Sequence, residues 1–166
     1  MDAVKQAVIV ICGIKNSGKT TLIRNLIPKL NALGYKVATI KHDGHEFESD
    51  VPGTDSYYHQ QAGAYGTAVY SKSQFMITKK EEHCSPEKLM GYFPEADFIL
   101  IEGCKNSSYP KIEVIRSVNH NEPASNPQGR FLIVTDIKDY QGTERFVAFE
   151  ETDKIVGAMV EQLERM

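Results

Sequence analysis

Ala7-Val8-Ile9-Val10-Ile11-Cys12 is an unbroken apolar run. That is the pattern of a strand buried on both faces of a parallel sheet. After a polar, glycine-containing stretch, Leu22, Ile23, Leu26, Ile27 and Leu30 recur at helical spacing and stop near Gly34, which predicts an amphipathic helix. Pro28 falls inside it, where a missing N–H should kink the last turns. Residues 36–41 read as a second strand. The polar stretch from His42 to Gly53 reads as a mobile loop, followed by a short helix over 55–62. Thr67 to Ser71 and Gln74 to Thr78 are β-prone runs joined closely enough for a hairpin. Ser85-Pro86-Glu87 has a capping serine and a first-turn proline, the start of another helix. Phe98 to Ile101 is a further buried strand ending at Glu102-Gly103. Lys111 to Ile115 alternates as a strand, residues 117–129 read as an exposed loop, and Phe131 to Val134 forms a last strand ending at Thr135-Asp136. Ile155, Val156, Met159, Val160 and Leu163 share one face of a final helix capped by Thr152.

Strands alternating with helices predict a three-layer α/β fold with a mostly parallel sheet and a short β-hairpin addition. The 166 residues suit a single domain, 1–166. No apolar run approaches the ~20 residues that span a bilayer, so no membrane association is expected. No export signal precedes the first strand. Cys12, Cys84 and Cys104 are an odd number without paired spacing. They predict neither a disulfide framework nor a zinc site, and a cytoplasmic location. A net charge of -3 argues against a nucleic-acid partner. The charge is uneven: residues 1–42 hold seven Lys or Arg against the single acid Asp2, leaving 12 basic and 21 acidic residues for the remainder. Either this is a lysine-bearing solvated helix face, or it is a positive field around an anion site.

The stretch between the first strand and first helix favours the anion site. Gly13-Ile14-Lys15-Asn16-Ser17-Gly18-Lys19-Thr20 is a P-loop, in which main-chain N–H groups curl around phosphates. Gly13 and Gly18 permit the curl. Ser17, Thr21 and Asn16 line it, Lys19 reaches the β- and γ-phosphates, and the Thr20 hydroxyl binds Mg²⁺. Lys15 is either a phosphate or partner contact or an ordinary surface lysine. The helix N-terminus adds a favourable dipole. The motif and its strand–loop–helix context predict a P-loop NTPase sandwich and one nucleotide-binding domain.

P-loop sites take a second metal-side acid from a neighbouring strand, and ligands gather at carboxyl ends of strands. Asp97 begins its strand and lies at the wrong end; Glu102 ends it and is the expected acid. Asp43, after the second strand, is a further metal or water contact. His42 and His45 flank it, but no additional ligand cluster turns that pair into a transition-metal site. For the base, a strict Asn/Thr-Lys-x-Asp guanine motif is absent. Thr135-Asp136 ends a late strand, where a carboxylate can accept from guanine N1 and N2; a strand-terminal turn explains the pair equally well.

Taken together, Thr20-Thr21-Leu22, Ile40-Lys41-His42, Gly53-Thr54-Asp55-Ser56, Ala62-Gly63-Ala64, Ile101-Glu102-Gly103-Cys104-Lys105 and Pro110-Lys111-Ile112-Glu113 resemble the MobB-type molybdopterin-guanine dinucleotide biosynthesis adaptor family. The resemblance runs in order from Ala7 to Arg116 and thins beyond. Cys104 departs from it, because the family more often has an aromatic residue there. The resemblance implies a GTP-binding homodimer with weak GTPase activity. Such a protein assists a molybdenum cofactor guanylyltransferase that joins GMP to molybdopterin. It carries Lys19, Thr20 and Glu102 over as phosphate and magnesium residues. It makes Lys41, His42, Asp55, Lys105 and Lys111 cleft or partner contacts.

The competing reading is a P-loop small-molecule kinase donating the γ-phosphate of ATP. Kinases often neutralise the transferring group with several arginines. The five here, Arg24, Arg116, Arg130, Arg145 and Arg165, do not cluster in sequence. A pure interaction module with a dead site conflicts with intact Lys19, Thr20 and Glu102. No catalytic glutamine or arginine finger stands near the loop, so any hydrolysis with Lys19 and Glu102 as catalytic groups is expected to be slow.

Overall fold

The computed structural model describes residues 5–119 and 121–166. In chain order the elements are β1 (Ala7–Cys12), α1 (Lys19–Ala32), β2 (Val37–Lys41), α2 (Asp55–Gln61), β3 (Gly66–Tyr70), β4 (Phe75–Lys79), α3 (Pro86–Met90), β5 (Phe98–Glu102), β6 (Lys111–Ile115), β7 (Arg130–Thr135), β8 (Phe146–Ala148) and α4 (Thr152–Glu164). They fall into two compact units. One runs to His42 and resumes over Pro86–Met166; the other is Asp43–Ser85.

The first unit is an α/β fold on a six-stranded sheet in the order β2-β5-β1-β6-β7-β8. Every neighbouring pair is parallel, so all six carboxyl ends share one edge. The chain leaves β1 towards β2 and β5 on one side, then crosses to β6, β7 and β8 on the other. That reversal makes the carboxyl end of β1 the place where a crevice opens.

β1 is apolar throughout because both its faces are covered. Ile9 and Ile11 join Leu22, Leu26 and Leu30 of α1 and Ile155 and Met159 of α4 in one core. Val10 and Cys12 face the other way, onto Ile40, Ile99 and Ile101, with Leu89 and Met90 of α3 packed against them. Helix α1 continues through Pro28. Pro28 and Arg24 are both exposed, so the carbonyl that proline leaves without a donor belongs to the water-facing side. Two expectations need correction. Glu151, not Thr152, is the N-cap of α4. Its carboxylate turns back to accept the Ala148 N–H at 3.1 Å instead of capping the helix. The edge strand β8 has only three residues, too few for any periodicity to register.

β6 is the expected strand, but alternation of charged and apolar residues ordinarily accompanies one face towards water, and here every residue is buried. Glu113 is 1% exposed. Its carboxylate accepts the Ser125 N–H and the Arg130 Nη1–H, each at 3.1 Å, as well as the Ala124 N–H and the Ser125 hydroxyl. Arg130 continues the network to Glu144 through Nε at 3.1 Å. Lys111 is fully buried and donates to the carbonyls of Ser107 and Asn126. It is therefore an internal tether rather than the cleft or partner contact expected of it. These charges pin residues 124–126, the end of the loop before β7, against the sheet.

The second unit is small. Thr54 caps α2, accepting the Tyr57 N–H at 3.3 Å. Gln60 donates to Asp50 at 3.2 Å and Thr67 at 3.1 Å, tying the preceding loop and β3 to the helix. β3 and β4 form the expected antiparallel hairpin, with Tyr70 opposite Phe75. Among the described residues these two strands pair only with each other.

Removing one partner from a buried ion pair leaves a charge without compensation. Arg130→Ala should therefore lower unfolding stability by about 3–5 kcal/mol. In urea denaturation this appears as a lower midpoint at unchanged slope. A midpoint equal to that of the parent would show that the Glu113 network does not hold the loop.

Candidate functional site

The P-loop joins β1 to α1, and its shape is set by close approach. Gly13 has φ 141°, and a Cβ there would lie 2.5 Å from the Val114 carbonyl oxygen and 2.7 Å from Ser17 Oγ. β6 passes too near for any side chain. Gly18 is the N-cap of α1 in the left-handed region, φ 95°. Asn16 shares that region at φ 61°, which asparagine tolerates better than most residues.

Some of the loop's polar groups have no partner within the protein. Gly18 brings no side-chain cap, and the first turn of α1 has no acidic residue, leaving its N–H groups open to an anion. Ser17 is fully buried, and its hydroxyl has no partner in the protein. Lys19 folds back over the loop, its Nζ donating to the Ile14 carbonyl at 2.7 Å and the Gly13 carbonyl at 3.2 Å. Burial lowers the Lys19 pKa, and the nearby Glu102 carboxylate opposes that shift. Lys15 and Thr21 are exposed.

Across the mouth, the Thr20 hydroxyl donates to Glu102 Oε1 at 2.8 Å. These residues stand 82 positions apart in sequence. The parallel register also sets Lys41 beside Glu102, so two lysines and one carboxylate share the β5 side of the loop. The His42 N–H donates to the Glu102 carbonyl at 2.9 Å. Asp97 lies before β5 and is engaged elsewhere, accepting the Lys36 N–H at 2.7 Å.

Most of the remaining expected site residues have partners of their own. Asp43 opens the second unit, and its carboxylate accepts the His45 N–H at 3.3 Å. Asp55 begins α2 in the same unit. Thr135 is buried and its hydroxyl accepts the Ile137 N–H at 3.1 Å, forming a turn at the strand end. Asp136 accepts the Ser117 N–H at 2.8 Å and lies 3.4 Å from Arg116 Nε. Lys105 offers its carbonyl to the Asn126 N–H at 3.0 Å. Among the described residues no group of three metal-type side chains gathers, and no helix is long and apolar enough to cross a membrane.

Sequence reasoning missed Phe149, Arg116 and Asn119. All three border the loop from the β6 side. Phe149 packs at Gly18, Arg116 lies over the Phe149 ring, and Asn119 Nδ2 donates to the Asn16 carbonyl at 2.9 Å. The available signal was that Arg116 follows the end of one parallel strand and Phe149 the end of another.

Comparison with known proteins bears on this geometry directly. Residues 8–136 match the family described as MobB, molybdopterin guanine dinucleotide synthesis protein B. The chain belongs to the MobB family. It is 33% identical over 149 residues to the molybdopterin-guanine dinucleotide biosynthesis adapter protein of Escherichia coli strain K12, covering 79% of this chain and 85% of that one. It is 32% identical over 111 residues to the probable adapter protein of Bacillus subtilis strain 168, covering 65% and 64%. The crystal structure of Bacillus subtilis MobB superimposes with TM-score 0.76 at 26% identity, covering 94% of this chain and 97% of that chain. A MobB homologue from Bacillus stearothermophilus gives 0.73 at 18% identity, covering 96% and 99%. The MobB match spans the P-loop, Glu102, the buried β6 charges and the end of β7, while α4 lies beyond it.

The last residue of β1 is Cys12, directly under the loop. Burial, reinforced by the Glu113 carboxylate, pushes its thiol up to about 11. Iodoacetamide at mildly alkaline pH should therefore modify the exposed Cys84 and spare Cys12 until the chain is unfolded. Peptide mass mapping reads the result; labelling of Cys12 in the folded protein would contradict the closed packing beneath the loop.

Proposed function

We propose that this chain is a GTP-binding adapter with weak, Mg²⁺-dependent GTPase activity. It assists attachment of GMP to molybdopterin, acting beside the guanylyltransferase that performs the transfer. Membership of the MobB family supports the pathway. The observation that carries the nucleotide reading is the Thr20–Glu102 contact at the rim of an open P-loop. A hydroxyl and a carboxylate oxygen are the hard donors that Mg²⁺ prefers. Thr20 and Glu102 would hold the ion, directly or through water, and the ion would neutralise charge on the β- and γ-phosphates. Lys19 would exchange its two carbonyl contacts for phosphate oxygens. Ser17 and the uncapped N–H groups of α1 would turn towards the phosphates.

Slow hydrolysis follows from what the loop lacks. Neither the P-loop, residues 13–20, nor the segment Gly103-Cys104-Lys105 after Glu102 contains a glutamine that could orient a water. The adapter reading is preferred to the kinase reading because the relatives from Escherichia coli and Bacillus subtilis are named biosynthesis adapter proteins.

We further propose a homodimer formed through the β3–β4 hairpin. A lone two-stranded sheet is marginal in water and offers two unpaired edges. This one also exposes apolar side chains, with Tyr70 86%, Phe75 67% and Ile77 54% accessible. Light scattering after size exclusion should return twice the chain mass at micromolar concentration. A monomer there would remove the hairpin from this role.

Calorimetric titration tests the nucleotide reading. GTP should bind more tightly with Mg²⁺ than without it. Lys19→Ala should abolish binding, and Glu102→Gln should remove most of the Mg²⁺ dependence while leaving metal-free binding intact. Affinity for GTP that is the same with and without Mg²⁺ would take Thr20 and Glu102 out of the site. Preference for ATP with phosphate passed to a small acceptor would restore the kinase.

A further inference from the structure

The ends of β6, β7 and β8 lie on one side of the P-loop and carry a cation–π pair. The Arg116 guanidinium carbon lies 4.5 Å from the centre of the Phe149 ring. Phe149 borders the start of α1 so closely that a Cβ on Gly18 would lie 3.3 Å from its Cε2. Asp136, at the end of β7, holds Arg116 from the side, with 3.4 Å between Nε and Oδ2. The two side chains remain 32% and 27% accessible, so a ligand can reach both. Asn119 ties the same segment to the loop through the Asn16 carbonyl.

Sheet order gives a bound nucleotide its direction. Thr20 and Glu102 meet on the β5 side of β1, which is the metal and γ-phosphate end. β6, β7 and β8 lie on the opposite side of β1. A triphosphate lying across the loop with its γ end against Glu102 would bring its nucleoside to the side of β1 that carries Arg116, Phe149 and Asp136.

We propose that Arg116, laid on Phe149, is the seat of the purine base, and that Asp136 positions Arg116 and selects guanine. This rests on the nucleotide reading above. A guanidinium is planar and weakly hydrated, so with one face on Phe149 its other face can take a base. A lysine ammonium has no such plane. An ionised carboxylate only accepts hydrogen bonds. It complements the N1–H and 2-amino donors of guanine and is repelled by the N1 lone pair of adenine. Arg116 was dispersed among unrelated arginines in the sequence; packing on Phe149 gives it a defined position beside the loop.

The test is titration of the full chain with GTP, ATP and inorganic tripolyphosphate, each with Mg²⁺. Arg116→Ala should weaken GTP about tenfold, the scale of one base stack, while tripolyphosphate binds as before. Arg116→Lys should not restore GTP affinity. Asp136→Asn should narrow the preference for GTP over ATP. Unchanged tripolyphosphate binding also shows that each variant is folded. GTP affinity unaltered by Arg116→Ala, or GTP and tripolyphosphate lost in parallel, overturns the base seat. An unaltered GTP-to-ATP ratio in Asp136→Asn overturns the selection. If the parent chain binds tripolyphosphate but discriminates no base, the phosphate reading stands and the base seat falls. If it binds neither, both fall.

Discussion

The site depends on the contact between Gly13 and the Val114 carbonyl. β6 pairs with β1 out of step: Val10 lies opposite Lys111, and Cys12, the last residue of β1, lies opposite Glu113. Val114 and Ile115 therefore run on past the end of β1, alongside the first residue of the P-loop. Only a residue without a Cβ fits there. The stagger closes the floor of the loop and delivers Arg116 to its flank. A register shift of one residue would turn Glu113 and Lys111 to the other face of the sheet and part Arg116 from the loop.

Holding a staggered strand requires anchorage, and buried charge supplies it. Glu113 receives two main-chain N–H groups, a hydroxyl and Arg130, while Lys111 takes two main-chain carbonyls. Such groups cost several kcal/mol each to dehydrate, so they give little net stability. What they provide is a single arrangement, because any other leaves a charge in the core without a partner. The loop end at 124–126 and the start of β6 are fixed by the same atoms. The rigid floor of the phosphate loop and the packing of a remote loop are thereby one construction.

The two sides of the P-loop then differ in chemistry. The β5 side carries Glu102, Thr20, Lys19 and Lys41, a cluster suited to a metal and phosphate charge. The β6 side carries Phe149, Arg116 and Asp136, with a ring face, a cationic plane and an acceptor. An α/β sheet with parallel strands can separate these roles because each strand end contributes a residue to one edge, and neighbouring ends are about 5 Å apart. The hairpin of the second unit stands apart from this logic. Its apolar residues Tyr70, Phe75 and Ile77 stay exposed, which is the feature on which the proposed dimer rests.

Local pattern determined much of this protein. The apolar runs of β1 and β5, the helical spacing in α1 and α4, the hairpin and the P-loop all follow from neighbours along the chain, and so does the placement of Glu102 at a strand's carboxyl end. Periodicity and glycine spacing are short-range properties and survive in one dimension. What the tertiary structure decided are the pairings between distant residues. Charges at Lys111 and Glu113 look like a solvent face because alternation records side, not environment; Arg130 and residues 124–126 make that side an interior. The three residues of β8 acquire meaning only by pairing with β7. Thr20 with Glu102, and Arg116 with Phe149 and Asp136, meet because strand order brings separate ends to one edge, and strand order is set by long-range packing that no local window contains.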